Sequence, residues 1–155
     1  MKKHCREVIE TELTVKHFSE LTTDELFEIY KLRVGVFVVE QNCAYPEVDD
    51  FDRLAYHIRL SDGGKIAAYA RVLPPKTVFE TCSIGRVIAV KRRKGYGTQT
   101  VEAAVNTARE KFAADKITVE AQTYARGLYE KLGFVQASDE FLEDGIPHVK
   151  MELQL

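Results

Sequence analysis

The chain has 155 residues, 45% of them hydrophobic and 30% charged, with a formal net charge of −2. That length fits one domain over residues 1–155, able to bury roughly 70% of the surface its unfolded chain exposes without a disulfide or a metal. A slightly acidic chain exerts no general pull on nucleic acid or an anionic membrane, so only a local basic cluster is suited to an anion.

Cys5, Cys43 and Cys82 are odd in number and widely spaced, which predicts reduced thiols rather than a disulfide framework or a zinc site. No apolar stretch follows Met1-Lys2-Lys3, and none approaches the ~20 residues of a membrane-spanning helix, so the expected location is the cytoplasm.

In chain order, Val8 to Phe18 mixes apolar and polar residues with Thr and Val and suits a first strand. Thr22-Thr23-Asp24-Glu25 fits a capping box, in which a Thr oxygen accepts an orphan N–H and the Glu reaches back to the cap. Leu26, Ile29, Tyr30, Arg33 and Phe37 follow at helical spacing, predicting a helix to about Val38. Gln41 to Arg53, with Pro46 and the acids Glu47, Asp49, Asp50 and Asp52, reads as a long loop, whose acids suit either the attraction of a cationic acceptor or a plain solvated loop.

Ala55–Leu60 and Lys65–Leu73 read as strands joined by the turn Ser61-Asp62-Gly63-Gly64, and Pro74-Pro75 stops the second. Ser83–Val90 is a further strand. Thr98 to Ala113 is a helix with apolar positions at Val101, Ala104, Val105, Ala108 and Phe112. Ile117–Ala121 is a short strand and Tyr124–Leu132 a short helix closed by Gly133. Phe134–Ala137 and His148–Leu155 complete the order β-α-β-β-β-α-β-α-β-β. Its middle β-α-β crossover implies a parallel pair inside a mixed sheet.

The strongest chemical feature is the join between the strand ending at Val90 and the helix beginning near Thr98. A helix N-terminus presents unpaired N–H groups and partial positive charge, so a phosphate is a natural guest. Gly95 and Gly97 let backbone approach closely, and Arg92, Arg93 and Lys94 add mobile charge. The loop is no ordinary P-loop, because GxxxxGK followed by Ser or Thr is absent, and a GxGxxG fingerprint fails at Thr100. A solvated basic turn capping a helix satisfies the same local residues.

Beyond the loop, the chain resembles the GNAT acetyltransferase superfamily. Arg92-Arg93-Lys94-Gly95-Tyr96-Gly97 fits its phosphate loop, which runs Gln or Arg, x-x-G-x, then Gly or Ala. Leu128-Tyr129-Glu130-Lys131-Leu132-Gly133-Phe134 looks like its LYxKLGF segment, at the family's spacing. A narrower resemblance, to the ElaA-like branch, rests on Arg33 to Cys43, on Asp49, Asp52, Ala55 and His57, on Ile84-Gly85-Arg86-Val87, and on Glu143-Asp144-Gly145-Ile146-Pro147-His148. It covers roughly residue 10 to the end.

The resemblance implies an α/β (α+β) fold with a mixed, mostly antiparallel sheet of about six or seven strands, splayed at a central parallel pair and flanked by about four helices. It implies acetyl transfer from acetyl-coenzyme A to a primary amine of a small molecule or peptide, by direct attack on the thioester, with no metal and no nucleic-acid or membrane partner, in a monomer or homodimer. Ile88 and Val90 would face the thioester and pantetheine arm, with the Ile88 N–H as oxyanion donor. Arg92, Arg93, Lys94, Gly95, Tyr96, Gly97 and Thr98 would hold the pyrophosphate. Gln122 stands where the superfamily commonly has an Asn that contacts the cofactor.

Tyr129 occupies the family's general-acid position. Glu40, His57 and His148 are candidates for the base or the acceptor site, and Arg33 and Arg86 suit a substrate carboxylate or the neighbouring acids. The alternative on the same fold is a non-catalytic acyl-coenzyme A sensor.

Overall fold

The computed structural model describes residues 11–90 and 94–155, so Cys5, Arg92 and Arg93 lie outside the described residues. Strands β1 (Thr11–His17), β2 (Tyr56–Asp62), β3 (Lys65–Leu73), β4 (Cys82–Ala89), β5 (Lys116–Gln122), β6 (Val135–Gln136), β7 (Phe141–Glu143) and β8 (Ile146–Gln154) form one sheet in the order β1-β2-β3-β4-β5-β8-β6, with β7 also on β8. Every pairing is antiparallel except β4 with β5. The described residues hold eight strands, and β7 is the one the sequence reading lacks. They hold three α-helices rather than four: α1 (Thr23–Val34), α2 (Tyr96–Phe112) and α3 (Arg126–Lys131).

Local chemistry accounts for the element ends. Glu25 N–H donates to Thr22 Oγ1 at 3.1 Å and Thr22 N–H donates to Glu25 Oε1 at 2.9 Å, so the capping box forms at α1. Past Val34 the chain stays helical but widens into a π-helix over Gly35–Glu40, with Gln41 N–H donating to Val36 O and Cys43 N–H to Val38 O. Gly63 and Gly64 both have positive φ, as a two-residue hairpin turn between β2 and β3 needs.

The LYxKLGF segment is a Schellman cap. Phe134 N–H donates to Tyr129 O and Gly133 N–H to Glu130 O, with Gly133 at φ +93°, and the Tyr129 and Phe134 rings pack edge to face at 5.6 Å. Gly133→Ala forces an L-residue into that conformation and is expected to cost about 1–2 kcal/mol, read as a lowered urea midpoint at unchanged slope.

The main core lies between one face of the sheet and α2 with α3. It includes Ile58, Val72, Ile84, Val101, Ala104, Ile117, Val119, Tyr129 and Met151. A smaller cluster of Ile29, Tyr69 and Ile88 seats α1 on the other face. The parallel ladder between β4 and β5 is short, pairing only Cys82 with Ile117 and Ser83 with Thr118. Beyond it β4 carries a bulge, where Arg86 and Val87 stand opposite Ala70 and Arg86 has φ +54°. A bulge bends the strand that contains it, and here the bend lies where β4 and β5 part.

Candidate active site

The parting strands open a cleft of about 740 Å³. Its lining includes β4 from Ile84 to Ala89, Val90 just after it, and β5 from Glu120 to Gln122. The π-helical end of α1 supplies Glu40 and Gln41, α3 supplies Leu128 and Tyr129, and the β7–β8 turn region supplies Glu143, Asp144 and His148. Gln122 on β5 accepts a hydrogen bond from Gln41 Nε2 at 3.4 Å, so the first helix and the sheet meet there.

Backbone polarity along β4 follows from the ladder. Val90 N–H donates to Ala67 O at 2.8 Å, and Ile88 pairs with Tyr69 two residues back in the same register. Alternation in an antiparallel pair therefore turns Ile88 and Val90 toward β3, and turns the Ala89 N–H and C=O away from β3 toward the cleft. The Ile88 backbone and the Val90 N–H are thus turned toward β3, and Ala89, between them, faces the opening. Both Ile88 and Val90 still line the cleft.

Beyond the end of β4, Gly95 caps α2 with φ +74° and no side chain caps the first N–H groups of the helix. Gly97 is buried, and a Cβ there would lie 2.9 Å from Leu128 Cδ1 and 3.5 Å from Ala89 Cβ. Its lack of a side chain lets the start of α2 sit against the cleft wall. Tyr96 donates its hydroxyl hydrogen to Asp62 Oδ2 at 2.7 Å, pinning this turn to the β2–β3 hairpin, while Lys94 is exposed and Thr98 half-buried.

Tyr129 lines the cleft, and burial, with Tyr124 nearby, raises its phenol above the ordinary value, so it is protonated at neutral pH. His148 pairs with Gln122 across β5 and β8 and stacks on Phe141. Its Nδ1 lies 2.7 Å from Ile146 O, which fixes the hydrogen on Nδ1 and leaves Nε2 bare in the neutral ring.

Arg33 and His57 are brought elsewhere. Arg33 is 0% exposed, with Nε on Glu47 Oε1 at 2.7 Å and Nη1 on Asp52 Oδ1 at 2.7 Å. Arg71 bonds Asp49 at 2.6 Å and Asp52 at 3.1 Å, and Arg86 bonds Glu47 at 3.0 Å. Arg86 also lies over the Tyr45 ring at 5.5 Å and keeps a partial view of the cleft. The acidic loop is thus folded inward: Glu47, Asp49 and Asp52 answer three arginines, and Asp50 is exposed.

His57 is 0% exposed, its Nδ1 2.6 Å from Tyr69 Oη and its Nε2 2.9 Å from Asp52 O. Burial holds it down to about 4, so the ring is neutral inside the fold. Asp52 is pushed up by burial, but the hydrogen bonds and charges of Arg33 and Arg71 outweigh that and hold it below the usual carboxylate range.

Glu120 and Glu143 are cleft residues that the sequence reading did not single out. Burial raises the Glu120 carboxyl to about 7, reinforced by a hydrogen bond and like charge from Glu143 and opposed by Lys150. A signal existed: Ile117, Val119 and Ala121 are core residues, so Thr118, Glu120 and Gln122 share the other face of β5.

A splayed parallel pair beside a glycine-capped helix N-terminus defines the class. The chain belongs to the GNAT acetyltransferase family, whose domain model matches residues 38–155. A UPF0039 protein of Schizosaccharomyces pombe is 45% identical over 148 residues, covering 93% of this chain and 97% of the relative. The crystal structure of Escherichia coli ElaA superposes with a TM-score of 0.85 at 32% identity, over 92% of this chain and 99% of that one. An acyl-CoA N-acyltransferase from Pseudomonas aeruginosa superposes at 0.84 with 35% identity, over 92% and 99%. No described helix is long and apolar enough to cross a membrane.

Proposed function

We propose that the chain is a single catalytic domain that transfers an acetyl group from acetyl-coenzyme A to a primary amine. The observation that carries this reading is the opening of the sheet between β4 and β5, directly beside the uncapped start of α2. The donor substrate supplies a thioester, a peptide-like pantetheine arm and a pyrophosphate, and the chain offers a matching group for each.

The uncapped N–H groups of Tyr96, Gly97 and Thr98, with Lys94 alongside, suit the pyrophosphate. Arg92 and Arg93 belong to the same loop in sequence. The free backbone edge at Ala89 suits the amides of the arm, as an added strand would, and amides on this edge of β4 suit the developing oxyanion. Tyr129 holds a proton for the departing sulfur. The acceptor enters from the side of Glu40, Gln41, Gln122 and His148, where the bare Nε2 of His148 accepts a hydrogen bond from the amine.

Thr98→Glu separates binding from folding. Thr98 is the third residue of α2, where a carboxylate favours the helix dipole by about 0.3–1 kcal/mol, yet it also competes with the pyrophosphate. The expected result is an unchanged or slightly raised melting temperature with a coenzyme A Kd at least about tenfold higher by calorimetry. Unchanged affinity would remove the pyrophosphate from this loop.

A further inference from the structure

We propose that Glu120 and Glu143 act as one proton-accepting pair that takes the proton from the acceptor's ammonium group before attack. The proposal rests on the acetyltransferase reading and identifies its base. β5 and β7 lie on opposite edges of β8, where Glu120 is in register with Lys150 and Glu143 with Ile146. Both carboxyls line the cleft, and a hydrogen bond and like charge from Glu143 add to the burial that raises the Glu120 carboxyl. Two carboxylates in contact hold their second negative charge poorly, so the dianion is a ready proton acceptor.

Lys150 acts on Glu120 from β8, and the charged and titratable groups lining the same cleft include His148 on β8, Glu143 and Asp144 at the β7 turn, Glu40 at the end of the π-helix, Tyr124 just before α3 and Tyr129 on it, and Arg86 on β4. Arg86 is already answered by Glu47 and Asp49. This end of the cleft therefore favours an acceptor that arrives as a cation and disfavours one with a carboxylate beside its amine.

The protons balance. The ammonium N–H bond breaks and its proton goes to the Glu120–Glu143 dianion, which becomes a monoanion sharing that proton. The freed nitrogen lone pair attacks the thioester carbonyl carbon, the C–N bond forms, and the C–S bond breaks with its electron pair on sulfur. Tyr129 gives its proton to sulfur and recovers one from the amide nitrogen. The pair then releases its proton to solvent, so each turnover yields an amide, a thiol and one proton. Burial and Glu143 place the Glu120 titration near neutrality, where a base is most effective.

The test has two arms. Carboxyl-labelled glutamate in the full-length protein, followed by carbon NMR, is expected to show one coupled titration near pH 7 that moves to the ordinary carboxylate range in Glu143→Gln. Carboxyls that all titrate independently near 4.5 overturn the pair.

In the kinetic arm, free-thiol release is followed with acetyl-coenzyme A and a panel of putrescine, spermidine, tyramine and a lysine peptide. The best acceptor is expected to show kcat/KM rising with pH through about 7. Glu120→Gln removes that limb and lowers the plateau about a hundredfold or more at unchanged coenzyme A affinity. Glu143→Gln shifts the limb to lower pH, and Lys150→Met shifts it to higher pH. A limb that persists in Glu120→Gln and vanishes in His148→Gln overturns the proposal and leaves the acetyltransferase reading intact. A wild-type chain that binds no coenzyme A overturns both.

Discussion

Arg33→Met lowers the unfolding free energy by about 3–5 kcal/mol, because it removes the central cation of a buried network and leaves its carboxylates short of partners. Arg33 has no exposure, and its guanidinium donates to the Glu47 side chain, the Glu47 carbonyl and both Asp52 oxygens. Methionine fills much of the volume, so the loss is mainly electrostatic. For a chain of this length the melting temperature falls by on the order of 10 °C. Arg33→Lys keeps the charge but not the planar fork, and falls in between.

Acid distinguishes this cause from lost packing. The folded Asp52 lies below its ordinary value, so its contribution is full above about pH 4 and disappears as pH falls through the folded value. The deficit of Arg33→Met therefore narrows below pH 4 in a series of denaturant titrations, whereas a packing defect stays constant. His57 acts in a higher window. Its folded value near 4 lies under the 6.5 of a free imidazole, so the wild-type chain loses stability as pH drops from about 6.5 toward 4.

Tyr129→Phe lowers kcat about a hundredfold or more, with coenzyme A affinity and melting temperature essentially unchanged. The ring's edge-to-face contact with Phe134 at 5.6 Å survives in phenylalanine, and the Schellman cap uses only backbone groups. What disappears is the hydroxyl proton, which burial keeps in place well above neutral pH. A departing thiol has an ordinary pKa of about 8.5, so the loss is expected to be greatest below that pH, where the sulfur ends protonated, and to shrink above it, where the thiolate leaves without a proton. A kcat that survives from pH 6 to 9 in this variant would reduce Tyr129 to a packing residue. The rate law can be read with whichever panel amine turns over fastest.

Many of the element ends were legible along the chain. The capping box at Thr22–Glu25, the glycine pair at the β2–β3 turn, Gly95 before α2 and Gly133 after α3 are local: each depends on a handful of consecutive residues and their φ values. The π-helical end of α1 was not legible as such, because Leu26, Ile29, Arg33 and Phe37 fit ordinary helical spacing. The short β7 escaped because it has three residues and only one of them, Phe141, is not exposed.

The fates of the carboxylates were not legible in the same way. Nothing local distinguishes Glu47, Asp49 and Asp52, which meet buried arginines, from Glu120 and Glu143, which line the cleft. Charge in a sequence has no address: the partner of Asp52 is 19 residues away at Arg33, and Glu120 and Glu143 come to one cleft from two different strands.

The sequence by itself therefore determined the order of the longer elements, their caps and the glycine turn at the start of α2, since these follow from short-range sterics and hydrogen bonding. The tertiary structure alone decided that β4 parts from β5 at a bulge held by Arg86, that Ala89 rather than Ile88 or Val90 turns its amide to the opening, and which carboxylates are neutralised. Those outcomes depend on strand register, on burial and on contacts between distant residues, and no consecutive stretch of the chain specifies them.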